Sequence, residues 1–485
     1  MKIKEELSKI VGEENVNCSM EERLKYSKDY SLTPPCVPEA VAYPKDANEV
    51  SEIVKWCNKN GIPIVPVSSK IHFYGATVPT LGGIVVDLSR MSKIHEIDTE
   101  NRFVRFEPGV SWGVLVHELK KKGMRVIMPL TPPAERSPLT DCLEREIPTN
   151  VVYDYGEPMQ SVEVVWPQGH IFRCGSASVE GFPNSKSRGV NPSGPGIDFY
   201  RFIQGAQGTF GIVTWMSMKI ESIPKIDKVY FGPTKDLPYT IEFLYRILPR
   251  RIGQECLLLN NVSFSLILSE RIPEDFENLR KELPPWTLIL TISGLLRRPE
   301  EKIAYEEKFL NEVLRNEFPK MELKEVLGGF PNLGERMLKI LREPYPAQKK
   351  HWKIALKGGC QSLFFITKPY KAPMFIDIVD SVAMKFEYPP SMIGKYIQPI
   401  EHNRACHVEF NFFFNPEDEE EKQTVKKIFL EASRIIMDNG GFFTRPYGDL
   451  SKIVYERAAS YTMTLKRLKK IFDPNNIMNP GKLCF

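Results

Sequence analysis

Apolar and polar positions alternate with two different periods along the chain. Ile3, Leu7, Ile10 and Val11 recur at helical spacing and predict a first helix, which Gly12 ends. Residues 40–43 read as a short strand. Val50, Ile53, Val54 and Cys57 then mark the buried face of a helix that Asp46 opens and Gly61 closes. The apolar run 62–67 predicts a strand, followed by a loop of small and polar residues through Thr77. A β-branched strand follows at 84–88, and another at 103–106 stops at Pro108-Gly109. Val114, Leu115 and Leu119 predict a helix over 113–122. Segments 17–40, 128–158 and 175–199 are broken by Pro, Gly, Ser or Asn and read as irregular connections. Residues 161–166 and 170–174 form a predicted hairpin across Pro167-Gln168-Gly169. Beyond a composition shift at 224–238, strands at 256–268 and 286–295 alternate with charged helices at 299–317 and 417–438, the pattern of an antiparallel sheet covered by helices.

This order predicts an α+β protein of two domains, since 485 residues exceed one ordinary core. The expected division is 1–225, 226–430 and a returning segment 431–485. An apolar content of 42% and a charged content of 26% suit a folded protein, and a net charge of +4 without a basic stripe argues against nucleic-acid binding. There is no run of 18 apolar residues, and the amphipathic start differs from a secretory signal, so a cytoplasmic location is expected. The nine cysteines are scattered without a C-x-x-C pair. That disfavours zinc or an iron–sulfur centre held by this chain.

Candidate chemistry concentrates at Pro66-Val67-Ser68-Ser69-Lys70-Ile71-His72-Phe73-Tyr74-Gly75. A strand running into a small, polar loop leaves backbone N–H groups to hold an anion, here a diphosphate. Gly205-Ala206-Gln207-Gly208-Thr209-Phe210-Gly211-Ile212-Val213-Thr214 is a second turn where glycine permits close backbone approach. On the strand around His407, period two places His407, Glu409 and Asn411 on one face and Cys406, Val408 and Phe410 on the other. His402 lies five residues before His407.

Together with Asn439-Gly440-Gly441-Phe442-Phe443-Thr444-Arg445 and Phe472-Asp473-Pro474 through Asn479-Pro480-Gly481-Lys482, these segments resemble the vanillyl-alcohol oxidase and 4-cresol dehydrogenase family, with its PCMH-type FAD-binding domain. The resemblance implies a discontinuous FAD-binding domain, an antiparallel-sheet cap domain, FAD as cofactor, and no metal, since the spacing of His402 and His407 departs from the His-x-Gly-Asp-Gly-Asn-x-His pattern of the metal-dependent 2-hydroxyacid members. It implies cofactor contacts at Pro66, Ser68, Ser69, Lys70, Ile71, His72, Gly75, Pro138, Thr140, Gly205, Gly208, Gly211, Ile212, Val213, Arg445, Asn479 and Lys482. A guanidinium at Arg445 would stabilise negative charge on reduced flavin. Tyr74 and Tyr155 match tyrosines that hold a phenolate, and His407 lies on the strand nearest the flavin. Glu144 and Glu157 are candidate acids, whereas Lys395, Tyr396 and Arg404 are candidate carboxylate holders. The implied function is an FAD-dependent oxidoreductase moving a hydride from a small substrate to flavin N5, with a para-substituted phenol favoured. The alternatives are a 2-hydroxyacid dehydrogenase of glycolate or lactate type, an ether-lipid synthase, or a flavin-binding electron-transfer subunit. Expected partners are a small-molecule substrate and an electron-acceptor protein, a cytochrome or an iron–sulfur subunit, in a homo-oligomer or a redox complex.

Overall fold

The computed structural model describes residues 2–69, 71–152, 158–179 and 191–485. Lys70, Tyr155 and Glu157, each expected at the site, lie outside the described residues.

Strands β1 (Val16–Asn17), β2 (Ala40–Ala42), β3 (Ile64–Val67) and β4 (Ile84–Asp87) form a sheet in the order β1-β2-β4-β3, with β4 parallel to both β2 and β3. Parallel strands covered on both faces are apolar throughout. Ile64, Ile84 and Val86 accordingly pack into one core, and Val65, Val67 and Val85 into another. The helix Ala47–Asn60 crosses from β2 to β3. Asp46 caps it by accepting the Asn48 and Glu49 N–H groups at 2.9 Å, and Gly61 ends it at φ 64°. Its Val50, Ile53, Val54 and Cys57 join the first core.

Strands β5 (Ile94–Asp98), β6 (Phe103–Phe106), β7 (Met124–Arg125), β8 (Met159–Val165), β9 (Ile171–Arg173), β10 (Ile212–Lys219) and β11 (Glu221–Ser222) follow. Five of them make an antiparallel sheet in the order β5-β6-β10-β8-β9, while β7 pairs with β11. The third sheet is antiparallel: β12 (Ile226–Thr234), β13 (Cys256–Asn260), β14 (Trp286–Gly294), β15 (Gly359–Thr367), β16 (Gly394–Ile400) and β17 (Ala405–Phe414), in the order β12-β14-β13-β16-β17-β15. Helices Leu237–Ile247, Ala372–Lys385 and Glu419–Asp438 contribute to its larger core.

Three expectations need correction. The run 256–268 is not one strand: β13 stops at Asn260, whose side chain accepts the Ser263 N–H at 3.0 Å and caps the helix Asn261–Leu268. Both halves are buried, so periodicity alone could not separate them. The connection 17–40 contains the helix Met20–Lys25, capped by Ser19, and 128–158 contains the helix Pro138–Leu143 with proline at its first position.

The C-terminal residues come back to the first sheet. The Ile64 N–H donates to Ile477 O at 2.7 Å, and the Asn479 N–H donates to Ile64 O at 2.8 Å. Residues before 70 and after 470 therefore meet at β3.

Candidate cofactor and active site

β3 delivers Pro66 and Ser68 to a groove completed by the helix Pro138–Leu143 and the turn before β10. Pro66, Ser68, His72, Thr140, Gly208, Gly211, Ile212 and Val213 line one cavity of about 80 Å³. The Ser68 and Thr140 hydroxyls hydrogen-bond across it. Gly205 ties the turn to the helix, its N–H donating to Leu143 O at 2.7 Å. Gly205 and Gly208 both have φ near 73°, and a Cβ on Gly208 would meet Pro66 Cγ at 2.6 Å. Asn479 donates to Ala76 O at 2.8 Å and to Gln207 O at 2.6 Å, while Lys482 donates to Gly75 O at 2.7 Å. The Ile71 carbonyl accepts from Arg136 Nη1 at 3.4 Å, and its side chain packs against the cluster of Phe73, Tyr74 and Phe364.

The donor set fits a large polar cofactor. Four buried polar atoms around this groove have no protein partner: Ser69 Oγ, His72 Nδ1, Gln204 Nε2 and Asn479 Oδ1. Such atoms cost about 1–3 kcal/mol each unless a ligand satisfies them. His72 is neutral, because burial and then the Arg136 charge push its pKa down to about 3. Its Nε2–H is taken by Ser69 O, so Nδ1 is left as an acceptor.

Beside the groove lies a buried charge cluster. Arg136 binds Asp141 and Glu144, and Glu146 lies 4.0 Å from it. Arg445 pairs with Glu146 at 2.9 Å. The three carboxylates thus gather on guanidinium groups. Burial lifts Glu144 to about 7 and Asp141 to about 6, whereas Arg445 and Arg136 overcome burial at Glu146 and hold it below the usual carboxylate range. Arg445 is positioned from both sides of the molecule. Phe442 and Ile366 exchange backbone hydrogen bonds at 2.9 Å, and the Gln207 side chain donates to Pro446 O at 2.8 Å. Arg445 Nη2 is buried without a partner.

Aromatic rings wall this cluster. Tyr74 stacks on Tyr447 with centroids 5.0 Å apart and meets Phe364 edge-on at 5.3 Å, and the Arg445 guanidinium lies 4.0 Å from the Phe364 centroid. Tyr74 also hydrogen-bonds Glu146, and burial keeps its hydroxyl protonated far above the ordinary range. A smaller cavity of about 50 Å³ is lined by Glu146, Lys353, Tyr396, His407 and Glu409. Here the expected polar face of β17 is present. His407 Nε2 lies 3.2 Å from Glu409 Oε2, Asn411 donates to Glu409 at 2.9 Å, and Lys353 pairs with Glu409 at 2.7 Å. Burial lowers the His407 pKa despite Glu409, and Lys353 with His407 holds Glu409 ionised against its burial.

Tyr74, Arg445, His407 and Tyr396 are thus brought together, with Glu144 in the adjoining cluster. Lys395 and Arg404 are not: Lys395 is paired with Asp380 at 2.6 Å, and Arg404 is exposed in the turn before β17. Alternation along β16 explains the first, since Tyr396 takes the site face and Lys395 the opposite one. His402 is held by an N–H bond to Val151 O at 2.8 Å and feels Arg251 and Arg404, not the groups around His407. The sequence reading missed Glu146, Lys353, Phe364 and Tyr447. Tyr447, two residues after Arg445, had a local signal; Lys353 had none, because only tertiary packing brings it to Glu409.

The FAD binding domain profile matches residues 38–134, and the C-terminal domain of FAD linked oxidases matches residues 399–483. The mitochondrial D-lactate dehydrogenase [cytochrome] of Arabidopsis thaliana is 25% identical, covering 98% of this chain and 79% of its own length. Glycolate oxidase subunit GlcD of Bacillus subtilis (strain 168) is 24% identical over 99% of this chain and 96% of its own. The crystal structure of p-cresol methylhydroxylase with substrate bound superposes with a TM-score of 0.84 at 18% identity, covering 100% of this chain and 96% of that one. With both domain profiles on the chain and a groove whose unpartnered polar atoms suit the cofactor, the protein is an FAD-dependent oxidoreductase with the two-domain PCMH-type fold, similar to the FAD-linked oxidases.

Proposed function

We propose that this enzyme oxidises a neutral, hydroxyl-bearing aromatic substrate, a para-substituted phenol, at the carbon attached to the ring. One observation carries the choice. Each cation facing the inner cavity is already neutralised, Lys353 by Glu409 at 2.7 Å and Arg445 by Glu146 at 2.9 Å. A substrate carboxylate between Lys353 and Arg445 would enter beside two buried carboxylates and find both of these cations already paired, which is unfavourable in a dry site. A phenol needs a donor, an acceptor and aromatic walls. The free Arg445 Nη2 is the donor, and Tyr74, its hydroxyl engaged by Glu146, stands with Tyr447 and Phe364 as the walls. With Nε2–H directed at Glu409, His407 keeps Nδ1 to accept the phenol proton, and Glu409 would stabilise the resulting imidazolium. Bound FAD supplies the hydride acceptor, and Pro66, Ser68, Ser69, His72, Thr140, Gly208, Asn479 and Lys482 hold it. Residues 1–225 with 431–485 form the cofactor domain and 226–430 the cap in this reading.

The second reading, a 2-hydroxyacid dehydrogenase, is favoured by the names of the near full-length relatives, a D-lactate dehydrogenase and a glycolate oxidase subunit. The bracketed cytochrome in the first name also supports a separate electron-acceptor protein for this chain. Anaerobic mixing of the FAD-loaded enzyme with 4-ethylphenol and with D-lactate separates the two. Bleaching of the flavin band by the phenol alone is expected. Bleaching by D-lactate alone would overturn the choice.

A further inference from the structure

Glu409 serves two groups at once. Its Oε1 accepts from Lys353 Nζ at 2.7 Å and from Asn411 Nδ2 at 2.9 Å, which leaves Oε2 to His407 Nε2 at 3.2 Å. The Lys353 ammonium also donates to Ser362 Oγ at 3.2 Å, and Ser362 Oγ donates to Asn411 Oδ1 at 2.6 Å. Lys353, Ser362 and Asn411 thus close a ring of hydrogen bonds on one carboxylate oxygen. The ring follows from the fold. Ser362 and Asn411 face each other across β15 and β17, and the short helix Trp352–Ala355 brings Lys353 to them. That helix is itself anchored, since Trp352 Nε1 donates to Thr131 Oγ1 at 2.8 Å. The site is dry, with side-chain exposures of 11% for Lys353, 7% for Glu409 and 4% for His407.

We propose that Lys353 is a positioning residue for the oxidation: by occupying Glu409 it keeps His407 uncharged, with Nε2–H on Glu409 Oε2 and Nδ1 open to take a proton. The inference rests on the reading of His407 as the base. One buried carboxylate balances one cation. With Lys353 already on it, an imidazolium at His407 would be a second cation on the same carboxylate. An ionised carboxylate only accepts, so Oε2 fixes the proton of neutral His407 on Nε2. The other groups around His407 do not supply this control. Glu146 favours its protonation and Arg445 opposes it, but these two pair with each other at 2.9 Å. On β16, Tyr396 has its ring 5.7 Å away and is kept protonated by burial, and Gln398, directly opposite His407, is neutral. On β15, the neighbours are the apolar Phe364 and Ile366. Without the Lys353 charge, Glu409 would be free to hold an imidazolium, and His407 would already carry the proton it has to accept.

Nitrogen NMR of the FAD-loaded enzyme carrying isotope-labelled histidine tests this, the His407 signals being those that disappear in His407→Gln. In the wild type His407 should be uncharged at neutral pH with its proton on Nε2. Lys353→Gln keeps a donor at this position but no charge, and should raise the His407 titration midpoint by about one pH unit or more, roughly a tenfold gain in proton affinity. Lys353→Arg keeps the charge and should restore the wild-type midpoint. The rate of anaerobic bleaching by 4-ethylphenol should follow the same titration: slowed in Lys353→Gln at neutral pH, recovered in alkali, with phenol affinity unchanged. The double variant Lys353→Gln/Glu409→Gln leaves no charge unpaired and serves if the single one does not fold. Its His407 should stay uncharged but lose the fixed tautomer. A wild-type His407 that is protonated at neutral pH, a midpoint that Lys353→Gln leaves in place, or one that the double variant also raises overturns the proposal. A midpoint moved as expected in an enzyme that no phenol bleaches would defeat the phenol reading and leave the role of Lys353 standing. Phenol bleaching with an unmoved midpoint would do the reverse.

Discussion

Glu144 and His407 are buried groups whose proton affinities burial shifts in opposite directions. The Glu144 carboxyl binds its proton more tightly folded than unfolded, because it is desolvated beside Glu146 and Asp141, and Arg136 only partly offsets this. Its contribution to stability is therefore present at acid pH and fades as pH rises from the ordinary 4.5 to about 7. The melting temperature of the cofactor-free protein should decline across that window. Glu144→Gln should flatten the upper part of the decline; the lower part also contains Asp141, raised from 3.8 to about 6. An unchanged slope would assign the decline to another group. His407 behaves oppositely, since burial lowers its pKa from 6.5 and keeps it neutral as a proton acceptor. The anaerobic bleaching rate should hold steady through pH 6.5 and fall only below it. His407→Gln should remove that acid limb and slow bleaching about a hundredfold, the usual loss of one positioned base.

The turn from Gly205 to Gly211 and the strands around it show what one element contributes. Gly208 has φ near 73°, and an added Cβ would approach Pro66 Cγ to 2.6 Å in the wall of the cofactor cavity. Gly208→Ala should lower FAD affinity about tenfold or more, since the left-handed backbone alone costs roughly 1–2 kcal/mol for a residue with a side chain. Fluorescence titration of the stripped protein with FAD measures this, and wild-type affinity would remove the turn from the cofactor site. This turn was legible in sequence because glycine spacing is a local signal. So were the helix before Gly61, with a cap at each end, and the polar face of β17, which alternation fixes. The split of 256–268 into strand and helix was not, because every side chain there but that of Asn261 is buried and only the Asn260 cap marks the change. Lys353 and Glu146 were also hidden. Their roles come from partners 56 and 299 residues away, Glu409 and Arg445.

On the scale of the whole molecule, the cofactor groove exists only because the chain's two ends meet. Lys469 and Asp473 are the joint. They pair at 2.7 Å, both buried. Lys469 also donates to Thr209 O at 2.6 Å, in the glycine turn, and to Met478 O at 3.0 Å. Asp473 accepts the Ile477 and Met478 N–H groups at 3.1 and 2.8 Å, holding the segment that lies against β3. Asn479, one residue on, then reaches Ala76 and Gln207 in both loops of the groove. Burial lowers the Lys469 pKa, and Asp473 offsets part of that, so removing the carboxylate leaves an uncompensated buried cation. Asp473→Ala should therefore cost about 3–5 kcal/mol, the usual penalty for breaking a buried pair from one side. The double variant Lys469→Met/Asp473→Leu should recover much of that stability, because no charge then remains to be buried. FAD affinity should separate the two effects. Both variants lose the hydrogen bonds that seat Ile477 and Met478, just before Asn479, so both should bind FAD more weakly even where the double variant melts near the wild-type temperature. Full FAD affinity in a stable double variant would mean that packing of Ile477 and Met478 against β3 is enough to close the groove, and that the polar joint serves stability alone.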